Sequence, residues 1–391
     1  MLRSLYSGIS GLQAHQTMLD VTGNNIANVN TVGFKSSAVE FQDTLSQLTQ
    51  GATAPNQTTG QGGTNPAAVG LGVKVAGVST NLTQGTSEAT GKATDLMLNG
   101  DGYFVIAAGG QQSYTRAGDF TFDSSGQLVT PDGSVVQGWT ANAAGTVNTG
   151  GPLGAVTLPA AATAAAQATT SAGFVGNLPS DGTTPLVRQV PVYAPDGTAS
   201  TATLTFTPLG GGSWSVSDGT PTVFPDLQFT AGALTSVPTT TTSNGISYDF
   251  SKLSGYAGIS TLALDSQNGH AAGTLNSYTI GTDGTITGTF SNGVTQAIAQ
   301  IAIANFSNPS GLEKQGDSKW GVSANSGTLA VGTAGAPGFG TISAGYLEAS
   351  NVDLSQEFTN LIVAQRGFQA NARVITTSDS VLQELVDLKR S

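Results

Sequence analysis

Histidine is the natural first place to look for chemistry, and the chain has only two, His15 and His270. His15 falls in a stretch of helical spacing, and His270 follows Asn268-Gly269 in a turn. A Ser-His-Asp triad or a two-histidine zinc site would require them to converge from distant parts of the chain, so both read as unrelated packing or surface residues. Asn99-Gly100-Asp101-Gly102-Tyr103-Phe104 has the flavour of a calcium loop. It lacks alternating ligands and a closing Glu, and consecutive hairpin turns explain it better. Gly335-Ala336-Pro337-Gly338-Phe339-Gly340 is glycine-rich, but no Lys-Ser/Thr follows and no helix opens at once. It reads as a flexible connector before the C-terminal helix. Tyr114-Thr115-Arg116 could hold an anion, though a single Arg among strands reads as a surface residue. Asp119 and Asp123 can be paired as acid and base only by choice, not by pattern. Cysteine is absent, which removes disulfides, thiolate metal sites and cysteine nucleophiles. The residues indicate neither an enzyme nor a cofactor or metal site.

The information lies instead in the elements. Leu2, Leu5, Ile9, Leu12, Leu19 and Ile26 fall on alternating three- and four-residue steps. Leu354, Phe358, Leu361, Phe368, Ile375, Leu382 and Val386 repeat the rhythm at the other end. This is the seam spacing of helices that pack on partner helices. Two such helices paired with each other would still leave Val21, Ile362, Val374, Val381 and Leu385 exposed, which further copies of the chain would cover. The first helix should break at Gly23-Asn24-Asn25-Ile26-Ala27-Asn28, where Asn and Gly favour caps and turns. The second should begin at Asn351 or Asp353 as its cap, with Lys389 and Arg390 at the negative end of its dipole.

Between the helices the period changes. Residues 36–50 carry weak helical spacing, and 51–70 read as an extended Gly, Thr, Asn and Pro linker. From Gly72 the pattern alternates, and Asn-Gly and Asp-Gly pairs such as Asp132-Gly133, Asp196-Gly197, Asp283-Gly284 and Asn292-Gly293 mark tight hairpins. The segment 141–269 is poorer in large apolar residues, and Ala160–Thr170 is a low-complexity loop or short helix. The expected fold is mainly β with terminal α-helices. A paired, coiled-coil-like helical domain spans 1–33 and 350–391. A linker follows over 34–70, a split β domain spans 71–140 and 270–349, and an outer β domain is inserted at 141–269. The layers would nest, with both chain ends at one pole.

Charged residues are 9% of the 391-residue chain and the formal net charge is −11. With 13 Lys and Arg spread thinly, the basic face of a nucleic-acid binder is missing. No apolar run approaches the ~18–20 residues that span a bilayer, and Met1-Leu2-Arg3-Ser4-Leu5-Tyr6 is not a cleavable signal peptide. A sparsely charged surface can pack against copies of itself without strong repulsion.

Two long motifs give a resemblance. Gly23-Asn24-Asn25-Ile26-Ala27-Asn28-Val29-Asn30-Thr31-Val32-Gly33-Phe34-Lys35 resembles the N-terminal motif of the bacterial flagellar rod and hook proteins. Leu347-Glu348-Ala349-Ser350-Asn351-Val352-Asp353-Leu354, followed by Leu361 to Asn371 with Gln365-Arg366-Gly367 at its centre, resembles their C-terminal motif. Leu98 to Phe104 and Tyr114 to Phe120 are similar to the family's shared β domain. The large insertion and Ile301 to Phe306 favour the hook branch, whereas Met1 to Leu5 lean toward rod-like members. The resemblance implies a structural subunit, carried unfolded through flagellar type III export and added at the distal tip. It would self-assemble into a curved, bendable extracellular tube that acts as a universal joint between rod and filament. Its partners would be further copies of the chain and the rod, hook-cap and hook–filament junction proteins. The motif residues Asn24, Asn25, Asn28, Asn30, Gly33, Phe34, Asn351, Gln365 and Arg366 would be its family-specific positions. The competing readings are a distal rod protein and, in another class, a secreted β-rich adhesin or sugar-binding module.

Overall fold

The computed structural model describes residues 2–55, 62–142, 144–158, 163–220, 224–235 and 240–388. Two long helices, α1 (Leu2–Ala27) and α2 (Leu354–Leu388), bracket a chain of strands. They lie antiparallel. A β-carbon added to Gly8 would meet Ile375 and Asn371, while Asn25 near the other end of α1 bonds Glu357 near the start of α2. Asp353 caps α2, its carboxylate accepting from the N–H groups of Ser355 (2.8 Å) and Gln356 (3.2 Å). Asn351, the alternative cap, is used elsewhere. Lys389 and Arg390 lie outside the described residues.

The segment expected to be weakly helical and then a linker is instead a β-ribbon. β1 (Ser37–Asp43) pairs antiparallel with β4 (Val73–Thr80), and β2 (Ser46–Gln50) with β3 (Ala67–Gly70). Phe41, Leu45 and Leu48 carry helical steps, but Val39 and Phe41 are two apart as on a strand, and the ladder to β4 selects the strand. The base of the ribbon rests on α1. Ser10 Oγ accepts from Val73 N–H at 3.3 Å, and any side chain at Gly72 (φ 121°) would collide with Ser10. The outer strands β2 and β3 are exposed along their whole length, and no charged residue occurs between Thr44 and Gly72.

The split domain is one 13-stranded sheet. Its path runs from Thr163–Ala164 through Gly273–Ile280, Thr285–Phe290, Thr295–Phe306, Val135–Thr140 and Tyr103–Ala108 to Gln111–Thr115, Lys319–Gly321 and Glu313–Gly316. Alternation along Thr295–Phe306 feeds two cores. Ile301 and Ile303 join Leu96, Phe104, Ile106 and Phe120 on one face; Ala302, Ala304 and Phe306 join Tyr103, Tyr114 and Trp320 on the other. The domain takes more of the chain than expected. Gly154–Ala155 and Thr163–Ala164 pair into this sheet, and Val156 is in its core. The low-complexity run therefore contains a short strand at 163–164; its residues 160–162 lie outside the described residues.

The insertion forms a separate nine-stranded sheet from Ser171–Asn177 to Ala263–Gln267. It has its own core around Phe174, Phe206, Trp214, Tyr248 and Phe250. Its entering strand, Ser171–Asn177, runs parallel to Ile246–Ser254 and antiparallel to Ala263–Gln267. The neck to the split domain closes where Gln167 and His270 exchange backbone hydrogen bonds of 3.0 Å in each direction. Gly335 to Gly340, expected as a flexible connector, is a hydrogen-bonded turn between Leu329–Thr333 and Thr341–Ala344, with Gly335 N–H donating to Gly340 O at 2.9 Å. Phe339 packs on the core and draws that turn inward.

Candidate functional site

The helix pair meets through small and polar side chains. Gly8, Gly11, Ala14, Thr22 and Asn25 are buried on α1, and Glu357 and Ala364 on α2. A β-carbon at Gly11 would lie 2.7 Å from Asn371 Oδ1, and one at Gly367 would lie 2.5 Å from the His15 ring. Such residues let two helix axes approach closely. The large apolar stripe therefore flanks the seam instead of filling it. Leu5, Leu12, Leu19 and Ile26 are half-buried, as are Leu361, Phe368, Ile375 and Leu382, whereas Ile9, Leu354 and Phe358 are exposed. The side chain of Leu2 lies outside the described residues. Ile362, Val363, Val374, Val381, Leu385 and Val386 also face outward on α2, and Val21 is half-buried.

The motif residues build the joint between helices and sheet. Asn28 folds back onto Asn24, its Nδ2 donating to the Asn24 carbonyl at 2.9 Å, and Thr31 Oγ1 donates to Asn28 Oδ1. Gly33 turns the chain with φ 65°, and its N–H donates to Glu348 O at 2.8 Å. A β-carbon there would strike the backbone of Arg116 and Ala117. Asn25 clasps β1 with both ends of its amide, donating to Ser37 O (2.8 Å) and accepting from Ser37 N–H (3.0 Å), and it also donates to Glu357 Oε1 (3.1 Å). Asn351 accepts from Ser36 N–H at 2.8 Å and donates to the carbonyls of Asn81 and Thr83. Asn30, Gln365 and Arg366 are exposed and take no part in the joint.

At the centre is a buried charge cluster. Glu348 is 0% exposed, and its Oε1 accepts from Lys35 Nζ at 2.5 Å and from Gly85 N–H at 2.8 Å. Lys35 donates also to Thr83 O. Burial pushes the Lys35 ammonium below its usual pKa, and the Glu348 hydrogen bond and charge oppose that push. Arg116, read from the sequence as a surface residue, is 6% exposed and stands over the Tyr103 ring, with Nη1 3.6 Å from Glu348 Oε2. Its partner is far along the chain, so only the long-range contact reveals its burial. Beside the joint, Lys314 lies over the rings of Phe34 and Trp320 and donates to Lys35 O and Ser37 Oγ. An open cleft of about 560 Å³ is lined by the motif loop and by the hairpin of Glu313–Gly316 and Lys319–Gly321.

The possible chemical residues stay apart. His15 sits between the helices against Phe41, and His270 lies at the neck against Asn292. Asp123 is spent on the turn N–H groups of Ser125 and Gln127. Burial raises the Asp119 pKa, with smaller pushes from the charges of Asp95 and Asp132, and its backbone pairs with that of Asp95 in a β-bridge. Among the described residues no three His, Cys, Asp or Glu side chains cluster as a metal site, and no helix is long and apolar enough to cross a membrane.

Three family descriptions match this chain: "Flagella basal body rod protein" over residues 5–35, "Flagellar hook protein FlgE/F/G D1 domain" over 97–173, and "Flagellar basal body rod FlgEFG protein C-terminal" over 343–388. They cover α1 and its motif loop, the first half of the split sheet, and α2, and together define an axial protein of the bacterial flagellum. The flagellar hook protein FlgE of Borreliella burgdorferi is 39% identical over the whole of both chains. The flagellar basal-body rod protein FlgG of Bacillus subtilis is 35% identical, also over the whole of both. The crystal structure of the Helicobacter pylori flagellar hook protein FlgE2 superposes with a TM-score of 0.50 at 16% identity, over 67% of this chain and all of that one, a likeness of fold. The chain belongs to the flagellar hook protein FlgE family.

Proposed function

We propose that this chain is the repeating subunit of a curved, bendable hook tube, which works as a universal joint carrying torque from rod to filament. The terminal helices line the inner tube, and the split and inserted sheets form successive outer layers. The observation that carries this reading is the amount of apolar surface that α2 leaves uncovered, on both flanks of its seam and beyond the end of α1. Phe358, Ile362, Val363, Val381, Leu385 and Val386 are all more than two-fifths exposed in a single copy. Burying a fully exposed side chain of this kind gains about 1.5–3 kcal/mol, and each of these has roughly half of that still to gain, so neighbours that cover them gain substantially.

The outer layers suit a different task. A bending tube lengthens and shortens its rows of subunits as it turns. Polar, sparsely charged sheet surfaces form many weak contacts that slide, whereas a large apolar interface would resist. The subunit would reach the outside through the flagellar type III export route and add at the distal tip, meeting copies of itself together with rod, cap and junction proteins. No catalytic role is assigned to it. Electron microscopy of the concentrated full-length chain tests the reading. Tubes are expected; dispersed particles, or clusters that form only with sugar, would replace it with the adhesin reading.

A further inference from the structure

Two cations face one carboxylate in the joint, and one of them is left short. Glu348 Oε1 carries both strong hydrogen bonds, from Lys35 and Gly85. Glu348 Oε2 accepts none, and Arg116 Nε donates to none, although both are buried; the hydrogen bond that the guanidinium does make is a long one, from Nη1 to Leu98 O at 3.5 Å. The two groups are neighbours, since Arg116 Nη1 stands 3.6 Å from Oε2. That is beyond hydrogen-bond reach but within a small rotation of it. An unmade buried pair costs free energy that a slight movement would recover. The movement has an opposing pull, because turning Glu348 fully toward the guanidinium draws Oε1 away from the Lys35 ammonium.

We propose that Glu348 is a two-position ion pair, shared in turn between Lys35 and Arg116, and that it sets how tightly the terminal helices are held to the split sheet. Lys35 belongs to the loop that follows α1. Arg116 follows the strand Gln111–Thr115 in the 13-stranded sheet. Glu348 ends the strand Tyr346–Glu348 and leads directly into α2. In the Lys35 position the lead-in to α2 is tied to the end of α1, as observed. In the Arg116 position it is tied to the sheet by a bidentate, planar pair. Glu348 is fully buried, so a partner given up on one side has to be replaced on the other, which favours two discrete positions. The purpose of the device, letting a subunit alternate between two inter-layer settings as the tube turns, rests on the hook reading. The existence of the two positions does not.

The test is high-resolution electron cryomicroscopy of tubes of the full chain. In Lys35→Met the competing cation is removed, and the Arg116–Glu348 separation is expected to close from 3.6 Å to about 2.7–2.9 Å. A separation unchanged from the parent chain overturns the proposal. Should Lys35→Met fail to fold, the parent chain supplies the second measurement. In a bent tube, subunits on the inner and outer curve should differ in which cation Glu348 engages; one pairing throughout overturns the exchange. Failure of the parent chain to form tubes at all would count against the hook reading. In that event the crystal structure of the Lys35→Met monomer decides the exchange by the same distance.

Discussion

The side-chain amide of Asn371 occupies the space where a β-carbon on Gly11 would project, 2.7 Å from its Oδ1. The two helices are therefore as close as the Asn371 side chain allows at this level, with Asn371 held by its own bond to Gly367 O. Gly11→Leu should wedge them apart, costing about 1–3 kcal/mol of helix pairing. Hydrogen exchange of α1 amides should accelerate while the β-domain amides stay protected. Unchanged α1 protection would contradict the close packing.

Outward packing should depend on different residues. Ile362→Asp or Val363→Asp puts a charge on the exposed side of α2, where a neighbouring copy is expected. Assembly should be abolished while near-ultraviolet circular dichroism of the sheets is retained. Normal tubes from either variant would refute the inner-tube role of that face.

Asn25 satisfies both backbone polar groups of Ser37 and one oxygen of buried Glu357. Asn25→Ala leaves all of them without that partner, a loss of about 1–3 kcal/mol, expected as a lower denaturation midpoint of the helix and ribbon signals. A midpoint matching the parent would show that the clasp adds nothing.

The neck predicts where the insertion can be removed. Gln167 and His270 already face each other across a pair of hydrogen bonds, so joining them through a short Gly-Ser turn should leave the 13-stranded sheet intact. Tubes should still form, with altered curvature or stiffness by electron microscopy. Complete loss of polymer would contradict the outer placement of the inserted sheet.

Acid should loosen the split domain through Asp132. Burial works against its charge, but hydrogen bonds from Lys319, Thr130 and Ser134 outweigh it and hold the carboxyl at about 2, against an ordinary 3.8. Because the folded value is the lower one, the stabilisation is complete above the ordinary value. It is lost as pH falls toward the folded value. Asp132→Asn should flatten the stability loss between roughly pH 4 and pH 2, measured by urea denaturation across that range. An identical pH profile would remove Asp132 from the account.

Local signals carried much of the architecture. Glycine follows Asp or Asn at Gly133, Gly197, Gly284 and Gly293, and each takes the positive φ of a tight turn; Asp353 is a cap by residue type and by geometry. The first strand is masked because Phe41, Leu45 and Leu48 run on in helical steps, and only pairing with β4 decides for the strand. The inserted sheet begins later than composition suggests, since Gly154–Ala155 and Thr163–Ala164 are too short to alternate visibly. The joint was half legible. Its Asn and Gly positions stand in the motifs, but the burial of Arg116 depends on Glu348, and no short-range pattern links them. In the helix seam, large residues attracted attention that belonged to Gly8, Gly11 and Ala14, because spacing identifies a face without showing which member sits at its centre.

The two helices are unequal, 26 residues against 35. They finish level where Asn25 meets Glu357. At the opposite end the described part of α2 runs on past the first turn of α1, and Leu385 and Val386 there are more than half exposed. A column with one flat face and one stepped face has a top that differs from its bottom. Identical pieces of that shape stack only one way up, and a row of them carries an arrow.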